Sequence, residues 1–345
     1  MTRKAILIIY TGGTFGMRPS DKGYVPASDL GALIRQRMPE LAAETMPAYD
    51  IAEYDEPLES ANAAPHHWYE LAHRIRSADP RFDGFIVIHG TDTLAYTSSA
   101  LSFLLGDFGK PVIVTGSQIP LCEPRSDAQL NLISAVQAID TGRLGEVCVC
   151  FGPHILRGNR TTKLNATELD AFDSPNFPPL VEIGTELRFR TPEGLPPQNG
   201  VFSDRPPAYC ESNIAVLPVF PGIAGGLIDA IVATGAKGLV LRCYGVGTAP
   251  TADPDFMAAL SRASDAGMVM VAVSQCQQGS VALRHYAAGS ALADAGVLSG
   301  FDMTTEAAFT KLHALFALGL ARDAVAGLMH RNIRGELSVD EPAGA

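Results

Sequence analysis

Apolar positions follow two rhythms along this chain. Short, β-branched runs recur at residues 5–10, 85–89, 111–115 and 147–151, while residues 68–75 and 130–139 carry apolar side chains three and four apart. Near-continuous apolar runs predict strands buried on both faces, and the wider spacing predicts amphipathic helices. The N-terminal half therefore reads as βα alternation, a parallel sheet covered by helices. The rhythm resumes with strands expected at residues 213–219, 238–241 and 268–274, helices near residues 224–234 and 254–265, and two closing helices at 305–318 and 322–330.

Between the two stretches the pattern breaks. Residues 191–212 contain Leu195-Pro196-Pro197 and Arg205-Pro206-Pro207, and repeated prolines suit neither helix interiors nor central strands. The expectation is a two-domain α/β protein: a larger N-terminal parallel or mixed sheet flanked by helices over residues 1–190, a linker at 191–212, and a smaller α/β domain at 213–345. The end, from Ser338 to Ala345, is expected to fray.

Composition narrows the function classes. The chain has 345 residues, 47% of them hydrophobic, as in a well-packed globular protein. Its formal charge of −11 repels phosphate backbones, so nucleic acid is not an expected partner. The apolar run after Met1 is too short for a signal peptide and no stretch is long enough to span a bilayer, so no membrane partner and a cytoplasmic location are expected. The six cysteines lack a CxxC pair and read mostly as reduced, buried thiols. No histidine stands in an H-x-x-x-H or H-E-x-x-H pattern, and the adjacent His66 and His67 would diverge on a helix, so no metal and no cofactor are expected.

In open parallel sheets, ligands bind beyond the carboxyl ends of strands. Three segments there carry chemistry. Thr11-Gly12-Gly13-Thr14-Phe15-Gly16 is a sharp glycine turn presenting a hydroxyl, and it fits neither the dinucleotide G-x-G-x-x-G nor a P-loop. His89-Gly90-Thr91-Asp92-Thr93 sets a hydroxyl beside a carboxylate, with a helix N-cap as the plainer role for Thr91, Asp92 or Thr93. Arg157-Gly158-Asn159-Arg160-Thr161-Thr162-Lys163 brings an amine that becomes a useful base in a closed site beside Asp92. No Gly-x-Ser-x-Gly elbow of a serine hydrolase exists.

Tyr10-Thr11-Gly12-Gly13-Thr14-Phe15-Gly16-Met17 and Ile88-His89-Gly90-Thr91-Asp92-Thr93-Leu94 resemble the two signature segments of the L-asparaginase family. Residues 111–120, 157–163 and 241–247 resemble its type I, cytoplasmic bacterial branch, and the likeness runs in register over nearly the whole chain. The resemblance implies hydrolysis of L-asparagine to aspartate and ammonia, with dimers pairing into tetramers. It also implies roles: Thr14 the nucleophile that carries a β-aspartyl ester, Tyr24 the tyrosine of a mobile loop, and Thr91, Asp92 and Lys163 a proton-relaying triad. Glu59 and Ser60, with Thr91 and Asp92, fall where the family binds the substrate's amino and carboxylate groups. Thr162, Arg242 and Cys276 match positions of a second, regulatory asparagine site, for which an interface arginine and a buried thiol are the plainer reading.

Two departures stand out. Glu59 replaces the usual glutamine or aspartate, and Thr248 stands where relatives carry an asparagine that reaches a neighbouring subunit's ligand. The family's tRNA-linked glutamine amidotransferase subunit has an extra N-terminal domain, for which a first strand at Ala5 is expected to leave no room. A non-catalytic asparagine sensor would need the head-group contacts but not Thr14, Tyr24 and Lys163 together.

Overall fold

The computed structural model describes residues 3–26, 29–190, 195, 200–202 and 207–338. Much of the expected linker (191–194, 196–199 and 203–206) and the expected frayed end from 339 lie outside them. The described chain forms two compact units, one reaching Leu195 with Phe202, the other carrying residues 200, 201 and 207–338.

The first unit begins with β1 (Ala5–Tyr10), a hairpin of β2 (Met17–Ser20) and β3 (Gly23–Pro26), α1 (Leu30–Arg37) and β4 (Ala48–Glu53). It continues through α2 (Pro65–Ala78), β5 (Gly84–Ile88), α3 (Leu94–Leu104), β6 (Val112–Thr115), α4 (Ala128–Asp140), β7 (Val147–Phe151) and β8 (His154–Arg157). Four short strands close it: β9 (Thr162–Lys163), β10 (Phe172–Asp173), β11 (Val181–Ile183) and β12 (Leu187–Phe189).

The main sheet runs β12-β11-β8-β7-β6-β5-β1-β4. Strands β4, β1, β5, β6 and β7 are parallel, and β8, β11 and β12 add an antiparallel edge. One face packs Ile6, Ile8, Tyr10, Ile86 and Ile88 against residues of α1 and α4. The alternating residues Leu7, Ile9, Phe85 and Val87 are equally buried, so helices cover both faces and every position must be apolar.

The second unit holds a four-stranded parallel sheet, β13 (Ile214–Pro218), β14 (Gly238–Cys243), β15 (Val269–Ser274) and β16 (Val297–Ser299), in that order. Helices α5 (Gly226–Ala233), α6 (Pro254–Asp265), α7 (Ala287–Asp294), α8 (Thr305–Ala317) and α9 (Arg322–Met329) accompany it. Its core gathers Leu239, Leu241, Phe256, Leu260, Met270 and Leu292.

Two expectations need correcting. No side chain caps α3, whose N-terminal Thr93 instead donates its hydroxyl to the Ser60 carbonyl at 2.8 Å. Among the cysteines only Cys148, Cys150 and Cys243 are buried, while Cys210 and Cys276 are exposed. Burial pushes the Cys150 and Cys243 thiols up to about 12. No helix among the described residues is long and apolar enough to cross a membrane.

Candidate active site

The chain leaves β1 toward β4 on one side and leaves β5 toward β6 on the other, although β1 and β5 are neighbours. Loops that part in this way open a crevice at the carboxyl ends of the two strands. The glycine turn follows β1 and the Thr91 loop follows β5, so both sequence candidates face one crevice.

The turn is locked sterically. Gly12 and Gly13 have φ of 138° and 92°, a region that side chains avoid. A Cβ on Gly12 would lie 2.2 Å from the Leu58 carbonyl oxygen, and one on Gly13 would lie 2.3 Å from the Gly90 Cα. The Thr14 turn thus presses backbone to backbone on the loop that carries Thr91. The Thr11 N–H and hydroxyl both donate to the Ile88 carbonyl, at 3.0 and 3.1 Å, tying the turn to the end of β5. Thr14 itself is half-buried and opens a short 3-10 turn, Thr14–Gly16.

Lys163 comes from β9, held antiparallel to β10 opposite Phe172. Its Nζ donates to Thr91 Oγ1 and to Asp92 Oδ1, both at 2.9 Å. Thr91 is buried, the Lys163 side chain is 21% exposed and that of Asp92 64% exposed. A lysine so placed has little freedom, and a hydroxyl between it and the crevice can pass a proton either way.

Ser60 is buried and supports the same loop: its hydroxyl accepts the Asp92 N–H at 3.3 Å. Glu59 is exposed, and its carboxylate accepts the Asn62 amide at 3.5 Å. The structure therefore brings Ser60, Thr91, Asp92 and Lys163 into one bonded cluster and leaves Glu59 at its rim.

Tyr24 is not joined to Thr14. It sits half-exposed on β3, and its hydroxyl donates to Glu123 Oε1 at 2.9 Å. That hydrogen bond, with smaller help from desolvation and the carboxylate's charge, raises the phenol above its ordinary pKa.

Thr162 is half-buried beside Lys163 and faces Asp173 across the β9–β10 pair. Arg242 and Cys276 belong to the second unit, where Arg242 lies at the carboxyl end of β14 and Cys276 two residues past β15. Cys276 is exposed, which corrects the buried-thiol expectation. Thr248 turns its hydroxyl back onto the Tyr244 carbonyl at 3.4 Å. His66 and His67 do not diverge: their ring centroids are 3.9 Å apart, because both lie on the first turn of α2, where His67 Nδ1 accepts the Ala64 N–H at 2.9 Å. Among the described residues no group of three His, Cys, Asp or Glu could hold a metal.

Two residues escaped sequence reasoning. Gln118 spends its amide N–H groups on the Ala166 and Glu168 carbonyls, at 3.2 and 3.1 Å, which turns its oxygen to the Thr91 hydroxyl 3.5 Å away. Asp127 holds that segment by accepting the Gln118 and Ile119 N–H groups, each at 3.0 Å. The available signal was position, since Gln118 follows β6 at the same sheet edge. His89 is buried between the Gly90 carbonyl, 2.7 Å from Nδ1, and the Thr97 hydroxyl, 3.1 Å from Nε2. The carbonyl requires a proton on Nδ1, so Nε2 accepts, and burial lowers the pKa to keep the ring neutral.

Residues 5–194 match the family model "Asparaginase, N-terminal", and residues 213–329 match "Glutaminase/Asparaginase C-terminal domain". The chain belongs to the asparaginase family and is a hydrolase. It is 44% identical to L-asparaginase 1 of Escherichia coli strain K12 over 343 residues, covering 99% of this chain and 100% of the relative. The crystal structure of L-asparaginase I from Vibrio cholerae superposes with a TM-score of 0.89 at 40% identity, over 98% of this chain and 100% of that one. The thermostable L-asparaginase of Thermococcus kodakarensis superposes with a TM-score of 0.85 at 31% identity, over 97% and 100%.

Proposed function

We propose that this protein hydrolyses L-asparagine to L-aspartate and ammonia through a β-aspartyl ester on Thr14. The observation that carries the reading is the Lys163–Thr91–Asp92 cluster abutting the Thr14 turn through the Gly13–Gly90 contact. The close relationship to L-asparaginase 1 supports it.

Thr14 Oγ attacks the side-chain amide carbon, and its proton leaves through Tyr24, whose phenol releases its own proton on the solvent-facing side where it is hydrogen-bonded to Glu123. The amide nitrogen takes a proton from Lys163 by way of Thr91 and departs as ammonia. Lys163, now neutral, draws a proton back through Thr91 from a water that attacks the ester. Aspartate is released and Thr14 recovers its proton. Backbone N–H groups of the turns hold the oxyanion of each tetrahedral state.

Ser60 and Asp92, with Glu59 at the rim, hold the amino and carboxylate groups of the substrate, which sets the distance to Thr14. The extra methylene of glutamine displaces its amide carbon, and a misplacement of ~1 Å costs about a hundredfold in rate. Asparagine is therefore preferred. The same reading extends to a cytoplasmic dimer or dimer of dimers, a 1–190 catalytic domain joined to 213–345 by the 191–212 linker, and a regulatory asparagine site using Thr162, Arg242 and Cys276.

Ammonia release from L-asparagine and L-glutamine, by the wild type and Thr14→Ala, tests the proposal. It predicts turnover of asparagine well above glutamine and none by Thr14→Ala. Comparable rates on both amides would refute the preference. Asparagine binding without turnover in the wild type would point to a sensor.

A further inference from the structure

The turn Leu121–Glu123 touches the Tyr24 hairpin and its approach at three points. The Leu121 N–H donates to the Phe15 carbonyl at 3.0 Å, next to Thr14. Cys122 Sγ donates to the Met17 carbonyl at 3.3 Å, at the start of β2, and Glu123 Oε1 accepts the Tyr24 hydroxyl at 2.9 Å, on β3. The turn is itself braced, since Arg37 donates to the Cys122 carbonyl at 3.0 Å and the Glu123 N–H donates to the Pro120 carbonyl at 2.9 Å.

Burial cannot do this work. Every residue from Arg18 to Pro26 is exposed, Tyr24 to 50%, and a two-stranded ribbon in water is marginally stable. A side chain in that setting samples several rotamers unless a specific partner selects one. For Tyr24 that partner is Glu123.

The contact also decides what the phenol can do. A phenol has one proton to donate. Once it points at Glu123, only the oxygen's lone pairs remain for a second neighbour, so a hydroxyl such as that of Thr14 meets an acceptor. We propose that Glu123 is a positioning residue of this enzyme: it fixes Tyr24 in the orientation that accepts the Thr14 proton. The inference rests on the asparaginase reading above and adds a residue to it.

The test is kcat and KM for L-asparagine, with melting temperatures, for Glu123→Ala, Glu123→Gln, Tyr24→Phe and the Tyr24→Phe/Glu123→Ala double variant. The expected result is a kcat about tenfold lower for Glu123→Ala, with KM within about twofold, because orientation is lost while substrate contacts stay. Glu123→Gln, whose amide oxygen still accepts the phenol proton, returns kcat to within about threefold of the wild type. In the Tyr24→Phe background Glu123→Ala changes nothing further, since the contact it serves is gone. The inference is overturned by an unchanged or raised kcat for Glu123→Ala, by an equal loss in the Tyr24→Phe background, or by a fully active Tyr24→Phe. A wild type that releases no ammonia would instead strike the asparaginase reading itself.

Discussion

The two halves of the proposed site are built by different physics. The glycine turn and Gly90, the residue before Thr91, are locked by contacts that leave no room for a single added methyl group. Tyr24 stands on an exposed ribbon, steered by one hydrogen bond from its side chain. The difference teaches where stability and catalysis should separate: damage to the first half threatens the fold, and damage to the second should touch only rate.

The largest effect is expected from Gly13→Ala. The new Cβ has nowhere to go beside Gly90, and φ of 92° is unfavourable for alanine. The destabilisation should exceed about 4 kcal/mol, seen as a lowered denaturation midpoint or failure to fold. A midpoint within ~1 kcal/mol of wild type would show that the turn yields and break the contrast. Next comes Lys163→Met, which should lower kcat by roughly a hundredfold to ten-thousandfold, the range for removing a general acid–base group. Its exposed ion pair with Asp92 contributes little to stability, so the melting temperature should move little.

Tyr24→Phe should lower kcat by about tenfold to a hundredfold with little change in melting temperature, as expected of a half-exposed side chain outside the core. A large fall in melting temperature would mean that the ribbon is part of the folded core after all. The smallest effect concerns His89. Its folded pKa lies below the ordinary 6.5, so the unfolded chain binds the proton first as pH falls. Its contribution is fully present above pH 6.5 and is lost as pH falls toward the folded pKa, at no more than about 1.4 kcal/mol per pH unit. His89→Gln should reduce the slope of melting temperature against pH below 6.5. An identical slope would show that His89 takes up its proton without strain.

The sequence was most legible where burial leaves one solution. Strands β5, β6 and β7 are buried at every position and β1 at all but Ala5, so each prints a near-continuous apolar run. The edge strand β4, Ala-Tyr-Asp-Ile-Ala-Glu, is only partly covered and carries charges, which hides it from an apolar pattern. The hairpin is harder still: Met-Arg-Pro-Ser and Gly-Tyr-Val-Pro hold two prolines and no core face. The crevice was readable from strand ends, and so were Thr91 and Asp92 as its occupants; Lys163 was not, because the unforeseen antiparallel strand β8 carries the chain back to the start of β7, and Lys163 reaches the crevice from β9. Gln118 and Glu123 were not, because their importance lies in what their side chains reach across more than 25 positions of chain, which no local pattern records. Cys276 misled for the opposite reason, as a thiol two residues beyond a buried strand is already out of it.

Both halves converge on Thr14, and the most direct test of its role is to catch the ester. Wild-type protein mixed with L-asparagine, quenched in acid within a single turnover and digested, should yield the peptide containing Thr14 heavier by one aspartyl group, in step with the first ammonia released. Thr14→Ala should yield neither the adduct nor the ammonia. An aspartyl adduct on any other residue, or ammonia release at the wild-type rate by Thr14→Ala, would contradict the account.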